Sequence, residues 1–243
     1  VYSASKTAWI PASTAPEVVW TRNAIVNGAF DIWQRGDSVD ATSTVVYTAD
    51  RWESYRGLYA AGMSVARVGI TPPTGFTSHA RVRRVAGNTS TQPLVFAQNL
   101  ESADSVQFAG ETVVLSFYAR AGSNFSSASS LLLAQVLSGT GTDETTRVGL
   151  TGQTSAGFAQ VTLTASWQRF EVLGTIDSTA RQLAVLFAYT PVGTAGTNDF
   201  FDIVGVQLER GTKATIFRRS SPTTQAELAA CQRYFFSLNV ATN

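Results

Sequence analysis

The sequence predicts an all-β sandwich preceded by an extended arm and followed by one short helix. Three observations carry this. Apolar and polar residues alternate with a period of two in run after run from Ala24 onward, and clusters of Gly, Pro, Thr, Asn and Asp separate the runs. Two aromatic-rich segments, 27–36 and 200–211, stand at opposite ends of this region, as expected of a sandwich whose first and last strands meet. Charged residues make up only 14% of the chain, against about 25% in typical globular proteins. Low charge with abundant Ser, Thr, Ala and Gly suits extended strands with hydroxyl-bearing surfaces and not a charged helical bundle.

Residues 1–22 hold Pro11 and Pro16, with Trp9, Ile10, Val18, Val19 and Trp20 between small residues. Proline and short apolar patches oppose a helix, so an extended arm is expected, serving to link or trimerise the chain. Two bare tryptophans would be a liability, and Trp9 and Trp20 are therefore expected to pack on their own domain or on a neighbouring subunit. The sandwich is placed at 23–217. Its strands are read at 62–68, 79–85, 93–100, 112–121, 131–137, 158–163, 168–173, 182–189 and 200–208, with Asp50-Arg51-Trp52-Glu53 as a strand decorated on both faces. Turn chemistry fills the gaps at 71–75, 139–143 and 190–198. Ten or so short strands at this spacing mean a sandwich or a barrel. The continuous apolar runs at 113–115 and 131–134 are expected in central strands or under a partner chain. The segment 121–130 reads as a loop with Phe125 at its tip.

The last unit, 218–243, contains the one credible helix. Thr224-Gln225-Ala226-Glu227 fits a capping box, with Pro222 two residues upstream. Leu228, Cys231 and Phe235 recur at helical spacing with Tyr234 beside them, so one face is apolar. That face must cover a sandwich edge, a following domain or a subunit interface. Leu228 and Phe235 thus join Trp9 and Trp20 as candidate oligomer contacts.

The net charge is +1, carried by 16 arginines and 2 lysines against 17 acidic residues. Arginine favours planar, hydrogen-bonded ion pairs. In Arg81-Val82-Arg83-Arg84, strand alternation sends Arg81 and Arg83 to one face and Arg84 to the other, so no dense nucleic-acid patch forms. A single cysteine, Cys231, excludes an internal disulfide and a cysteine-based zinc cluster. No apolar run approaches the ~18 residues of a membrane span. The start, Val1-Tyr2-Ser3-Ala4, lacks a methionine and a signal pattern and reads as the beginning of a fragment or of a processed chain.

Catalytic chemistry has little support. The lone histidine, His79, has no Gly-x-Ser-x-Gly serine to accompany it and reads as a surface or packing residue. Cys231 reads as a small buried apolar side chain, and Asp143-Glu144 as a solvated turn. No phosphate loop, dinucleotide fingerprint or metal-binding helix occurs, so no enzyme is expected. The carboxylates Asp31, Asp50, Glu53, Asp202 and Glu209 admit three readings: structural partners for Arg35, Arg51 and Arg210, ligands to a calcium ion, or a glycosidase pair. The first is favoured. Sugar recognition would use aromatic faces with polar edges. Tyr55 and Tyr59, flanking a hairpin turn, and Phe125 and Tyr189, near loops, are the candidates, while Trp33 and Trp52 are assigned to the core.

The two end motifs carry a resemblance. Asn27-Gly28-Ala29-Phe30-Asp31 and Phe201-Asp202-Ile203-Val204-Gly205-Val206-Gln207-Leu208 resemble the first and last strands of jelly-roll carbohydrate-binding modules. The resemblance implies a jelly-roll β-sandwich, often with a structural calcium near these strands, and points to Asp31 and Asp202 as the ligands to test. Asp stands at 31 where the modules usually have Glu. A longer match is to bacteriophage tail-fibre and related virion proteins. Residues 27–36 with Tyr47-Thr48-Ala49-Asp50-Arg51-Trp52 resemble their opening segment. Val206-Gln207-Leu208-Glu209-Arg210-Gly211, Ala214-Thr215 with Phe217, and 227–235 with its Cys231-Gln232-Arg233-Tyr234-Phe235 resemble their closing segment.

This second resemblance implies a homotrimeric fibre or tailspike component of a virion. It would be attached to other tail proteins and face a bacterial surface polysaccharide outside the host cell, without membrane insertion. Family members commonly continue past the Cys-Gln-Arg-Tyr segment, so a distal receptor-binding tip is expected beyond Asn243. The rival expectations are a carbohydrate-binding module of a secreted enzyme, a virion depolymerase, and a tail or capsid adaptor with no glycan affinity.

Overall fold

Period-two patterning closes into two antiparallel six-stranded sheets. The computed structural model describes residues 23–41 and 45–237; the predicted arm with Trp9 and Trp20, and the side chain of Tyr59, lie outside that description. The first sheet runs β1 (Ser38–Ala41), β4 (Met63–Val68), β5 (His79–Arg84), β12 (Phe200–Arg210), β7 (Thr112–Ala121) and β10 (Gln168–Thr175). The second runs β2 (Val46–Tyr47), β3 (Glu53–Arg56), β6 (Leu94–Asn99), β11 (Gln182–Tyr189), β8 (Leu131–Gly139) and β9 (Thr154–Thr162). From β5 to β12 the chain changes sheet at every step except the β8–β9 hairpin, and the orders 5-12-7-10 and 6-11-8-9 are those of a jelly roll.

The inward phase of each strand supplies the core. Trp52 stacks on Phe96 with ring centroids 4.7 Å apart, Phe30 lies 5.1 Å from Trp52, and Phe117 meets Phe187 edge-on at 4.8 Å. Each such fully buried ring contributes about 1.5–3 kcal/mol of transfer free energy. Trp33 and Trp52 are both core, as their apolar neighbours predict. Strands β1 and β2 and a one-turn helix, α1 (Ser102–Ser105), were not legible in the sequence.

The opening motif corrects one expectation: 27–36 is not a strand but a pair of tight turns, with Asn27 and Phe30 at φ of 56° and 54°. It nonetheless meets the last strand. β5 pairs with β12 only from Phe200 to Ile203, and β12 breaks register with β7 between Val204 and Gln207. The opening segment takes β5's place beyond that point. Val206 N–H donates to Gly28 O and Ala24 N–H to Leu208 O, each at 2.9 Å. A Cβ on Gly28 would fall 2.1 Å from Val206 O, so only glycine permits the approach.

A second correction concerns the closing helix, α2 (Thr224–Gln232). Its N-cap is Thr223, whose hydroxyl accepts from Ala226 N–H at 3.1 Å, one residue earlier than the capping box predicts. The shift puts Glu227 past the box position and frees its carboxylate for other partners.

Candidate functional site

The residues that carry the virion resemblance converge on one clasp between the chain ends. Asn27 sits in a turn and uses its whole amide: Nδ2 donates to Ile32 O at 2.9 Å and Asp50 O at 3.0 Å, and Oδ1 accepts from Ile32 N–H at 3.1 Å. Asp50 accepts from Gln34 N–H at 2.7 Å, Gln34 Nε2 at 2.9 Å and Arg35 Nη1 at 3.4 Å. Gln34 Nε2 also donates to Phe235 O at 2.9 Å, tying the opening motif to the segment that follows α2. Glu227, freed from capping, accepts from Asn27 N–H at 2.5 Å and from Ser220 Oγ and Ser221 N–H at 2.8 and 2.9 Å. Guanidinium planes close the clasp, Arg35 lying 3.7 Å over the Phe235 ring and Arg51 3.3 Å over Tyr234. Cys231 is buried beneath, and burial pushes its thiol up to about 12, which makes it a packing residue. Phe235, one of the candidate oligomer contacts, is thus engaged by its own domain, while Leu228 is half-buried.

The two carboxylates expected to share a calcium ion are held by arginines instead. Asp31 pairs with Arg219 at 2.6 Å. Asp202, fully buried, lies between its register partners Arg81 and Arg120, whose Nε atoms stand 2.8 and 2.9 Å from its oxygens, with His79 Nε2 at 3.1 Å. Burial pushes the Asp202 carboxyl up, but contact with His79 and Arg81 outweighs that and holds it at about 2. A calcium ion needs several free oxygens; with Asp31 paired to Arg219 and Asp202 held between Arg81 and Arg120, they do not fit one. Among the described residues no group of three His, Cys, Asp or Glu is arranged to hold a metal. His79 is fully buried, its ring edge-on to Trp167 at 5.0 Å.

Of the four aromatic glycan candidates Tyr189 is part of the core and Phe125 is half-buried against it, which corrects the expectation that they face solvent. Tyr189 is 3% exposed and its hydroxyl lies 3.3 Å from Asp199, which also binds Arg84 and Ser126. Burial, with Asp199 beside it, pushes the phenol far up. Phe125 packs on Tyr189 with centroids 4.7 Å apart. The signal was present: Tyr189 shares the inward phase of β11 with Leu183, Val185 and Phe187.

Tyr55, by contrast, lies on the outer face of the second sheet. Register aligns two rows there. One reads Tyr55, Val95, Ala188, Leu133, Gln160 from β3 to β9; the other reads Tyr47, Glu53, Ala97, Leu186, Gln135, Phe158 from β2 to β9. The second row begins and ends on an exposed aromatic, Tyr47 at 44% and Phe158 at 64%. With strands about 4.8 Å apart, its ends are about 24 Å from one another. The 140–153 loop crosses it at Glu53, which accepts from Thr146 Oγ1 at 2.9 Å and Asn99 Nδ2 at 2.8 Å, and burial raises that carboxyl. Sequence reasoning missed Phe158 as a surface residue, although it shares a strand face with Gln160 and Thr162, a polar phase where an aromatic is out of place.

The buried carboxylates are occupied by arginine, amide or hydroxyl donors, as Glu209 is by Thr215 and Gln207. The outer face of the second sheet is open at its ends, where Tyr47 and Phe158 are exposed and amide groups stand at the margin, while Glu53, Val95, Ala97 and Ala188 in its middle are buried.

No protein-family model and no curated protein matches the chain. Among solved structures, one described as "CBM4 structure and function" aligns with a TM-score of 0.46 at 20% identity over 76% of this chain and 98% of that one. The enzymatically active domain of tailspike protein 4 from bacteriophage CBA120 aligns with a TM-score of 0.47 at 11% identity, covering 78% of this chain and only 22% of the tailspike chain. The C-terminal family 22 carbohydrate-binding module of Clostridium thermocellum Xyn10B aligns with a TM-score of 0.43 at 16% identity over 73% and 99% of the two chains. At these identities and scores the likeness carries no argument about ligand, chemistry or partner.

Proposed function

We propose that this chain is a non-catalytic jelly-roll component of a phage tail fibre or related virion protein, homotrimeric and acting in attachment to a bacterial surface glycan. The observation that carries the reading is the clasp. The residues that resemble the opening and closing segments of such proteins, separated by about the whole sandwich, interlock side chain to backbone through Asn27, Gln34, Asp50 and Glu227. Motifs that resembled a family one residue at a time therefore also work as one unit. The glycan would lie on the outer face of the second sheet, against Tyr55, Gln135 and Phe158, replacing the sequence-based set that included Phe125 and Tyr189.

Titration calorimetry with oligosaccharides prepared from host surface polysaccharide tests this. Binding is expected, and Phe158→Ala or Tyr55→Ala should each weaken it about tenfold, as loss of one stacked face of about 1.4 kcal/mol would do. No binding to any saccharide by a stable trimer would instead favour a tail adaptor. A carbohydrate-binding module of a secreted enzyme would use the same face, and a monomer in sedimentation over a wide concentration range would favour it.

A further inference from the structure

Beside the clasp, at the β2 edge of the open face, is a semi-enclosed cavity of about 150 Å³ lined by Arg35, Tyr47, Asp50, Arg51, Tyr234 and Phe235 among others. Its charge is unbalanced. Asp50 is the one carboxylate in the wall, and it is already taken by two donors of Gln34 and by Arg35. Arg51 donates through Nη2 to Asn99 O at 3.2 Å and forms no ion pair among the described residues. Burial pushes the Arg35 guanidinium down, with Asp50 only partly restoring it. The two guanidinium planes rest on Phe235 and Tyr234, which fixes their orientation in advance and leaves their edges as the polar part of the wall. Tyr47, which also opens the aromatic-ended row of the second sheet, adds a phenol hydroxyl.

We infer that this cavity is a binding site for a small planar or tetrahedral anionic group, the carboxylate of a uronic acid or a phosphate substituent, carried by a saccharide lying along the open face. The inference rests on the glycan-binding reading above and adds to it an acidic ligand class. The volume has room for one such group. Two arginines presenting fixed edges match the paired oxygens of a carboxylate or phosphate. Continuity through Tyr47 links the cavity to the face where the neutral part of the chain would stack.

The test uses the full chain, with sodium glucuronate, glucose and inorganic phosphate as separate probes in NMR titrations and calorimetry at low salt. Glucuronate is expected to bind and shift resonances of Tyr47, Tyr234 and Phe235, whereas glucose should not. Arg51→Gln should weaken glucuronate ~10–100-fold, the loss of a charge-assisted hydrogen bond, and Arg51→Lys should restore part of it. Tyr47→Phe, which deletes one hydroxyl on an edge strand, gives a smaller loss and stands in if Arg51→Gln fails to fold. Phosphate binding without glucuronate binding would support the site and assign it to a phosphorylated saccharide. Absence of both anions from the cavity would overturn the inference. In that case, neutral oligosaccharides still held in a Phe158-dependent way would leave the glycan reading standing, and no saccharide binding at all would end both. Glucuronate binding that ignores Arg51 and Tyr47 would also overturn it.

Discussion

The outer faces of the two sheets solve the same problem in opposite ways. On the first sheet, the middle of the outer face is polar and sealed: Asp202 lies between Arg81 and Arg120, each arginine covers an aromatic ring, and the carboxylate is fully buried. On the second, the outer face is built from Val, Ala and Leu with an exposed ring at either end of one row. A buried ion cluster is a demanding arrangement, because each member depends on the others for compensation of its charge. On the second sheet only the exposed rings at the row ends can change at little cost in stability. The ion cluster ties neighbouring strands of the first sheet together, whereas the apolar middle of the second sheet's outer face is buried and only the ends of its row stay open to solvent.

The largest effect expected from breaking this contrast is at Asp202. Asp202→Ala leaves two arginines and His79 without their anion in a buried setting and should cost about 3–5 kcal/mol. For a chain of this size that is a fall in Tm of roughly 6–20 °C in a thermal melt. The acid limb of the stability curve should sharpen the same point. The carboxyl of Asp202 is depressed from 3.8 to about 2. Its stabilisation is therefore present above the unfolded value and is lost as pH falls from about 4 through 2, a loss the variant should not show.

A helix-cap substitution comes next. Thr223→Ala removes the acceptor for Ala226 N–H and should cost about 1 kcal/mol, read as a shift in urea midpoint with an unchanged slope.

Glu53, under the loop on the open face, should behave in the opposite sense to Asp202. Burial raises its carboxyl above 4.5, so its ionised form is disfavoured in the fold and its contribution declines as pH rises through and above that value. Glu53→Gln keeps an oxygen for Asn99 and Thr146 and should leave Tm at pH 7 unchanged or slightly higher. A clear drop would mean that the charge itself is needed. Smallest of all, Phe158→Ser should change stability by less than about 0.5 kcal/mol while weakening saccharide binding, since 64% of the side chain already faces solvent.

Legibility in the sequence divided along the range of the interactions. Strands β7 and β11 were read to their exact ends and seven others to within a few residues, because alternation is local. β1 and β2 were missed because four and two residues are too few for a period to register. At 27–36 the apolar and aromatic content suggested a strand, yet Asn27 and Phe30 in left-handed conformations make turns. Asn27-Gly28 is a local turn signal that the aromatic content outweighed, and the turns are further sustained by Asp50 and Glu227, far along the chain.

The candidate site was less legible than the fold. Tyr55 lies half-buried on the outer face of β3, while Tyr189 was misjudged by its nearness to a loop when its strand phase pointed inward. Asp31, Asp50 and Asp202 pair with arginines, as read from the sequence, while Glu53 and Glu209 are held by amide and hydroxyl donors. Of the expected arginines, Arg35 does take Asp50, but Asp31 takes Arg219 and Asp202 takes Arg81 and Arg120, and neither Arg51 nor Arg210 forms an ion pair among the described residues.

By itself the sequence determined that the chain is a sandwich of short strands with one closing helix, and that the two end motifs belong together. Periodicity, turn chemistry and capping are properties of neighbouring residues, and they act before any tertiary contact forms. Only the tertiary structure decided how the ends meet, which arginine balances each carboxylate, and which face is left open. Those outcomes depend on strand register and on the order of strands across the two sheets. Both are set by contacts between residues as much as 201 positions apart, as between Gln34 and Phe235.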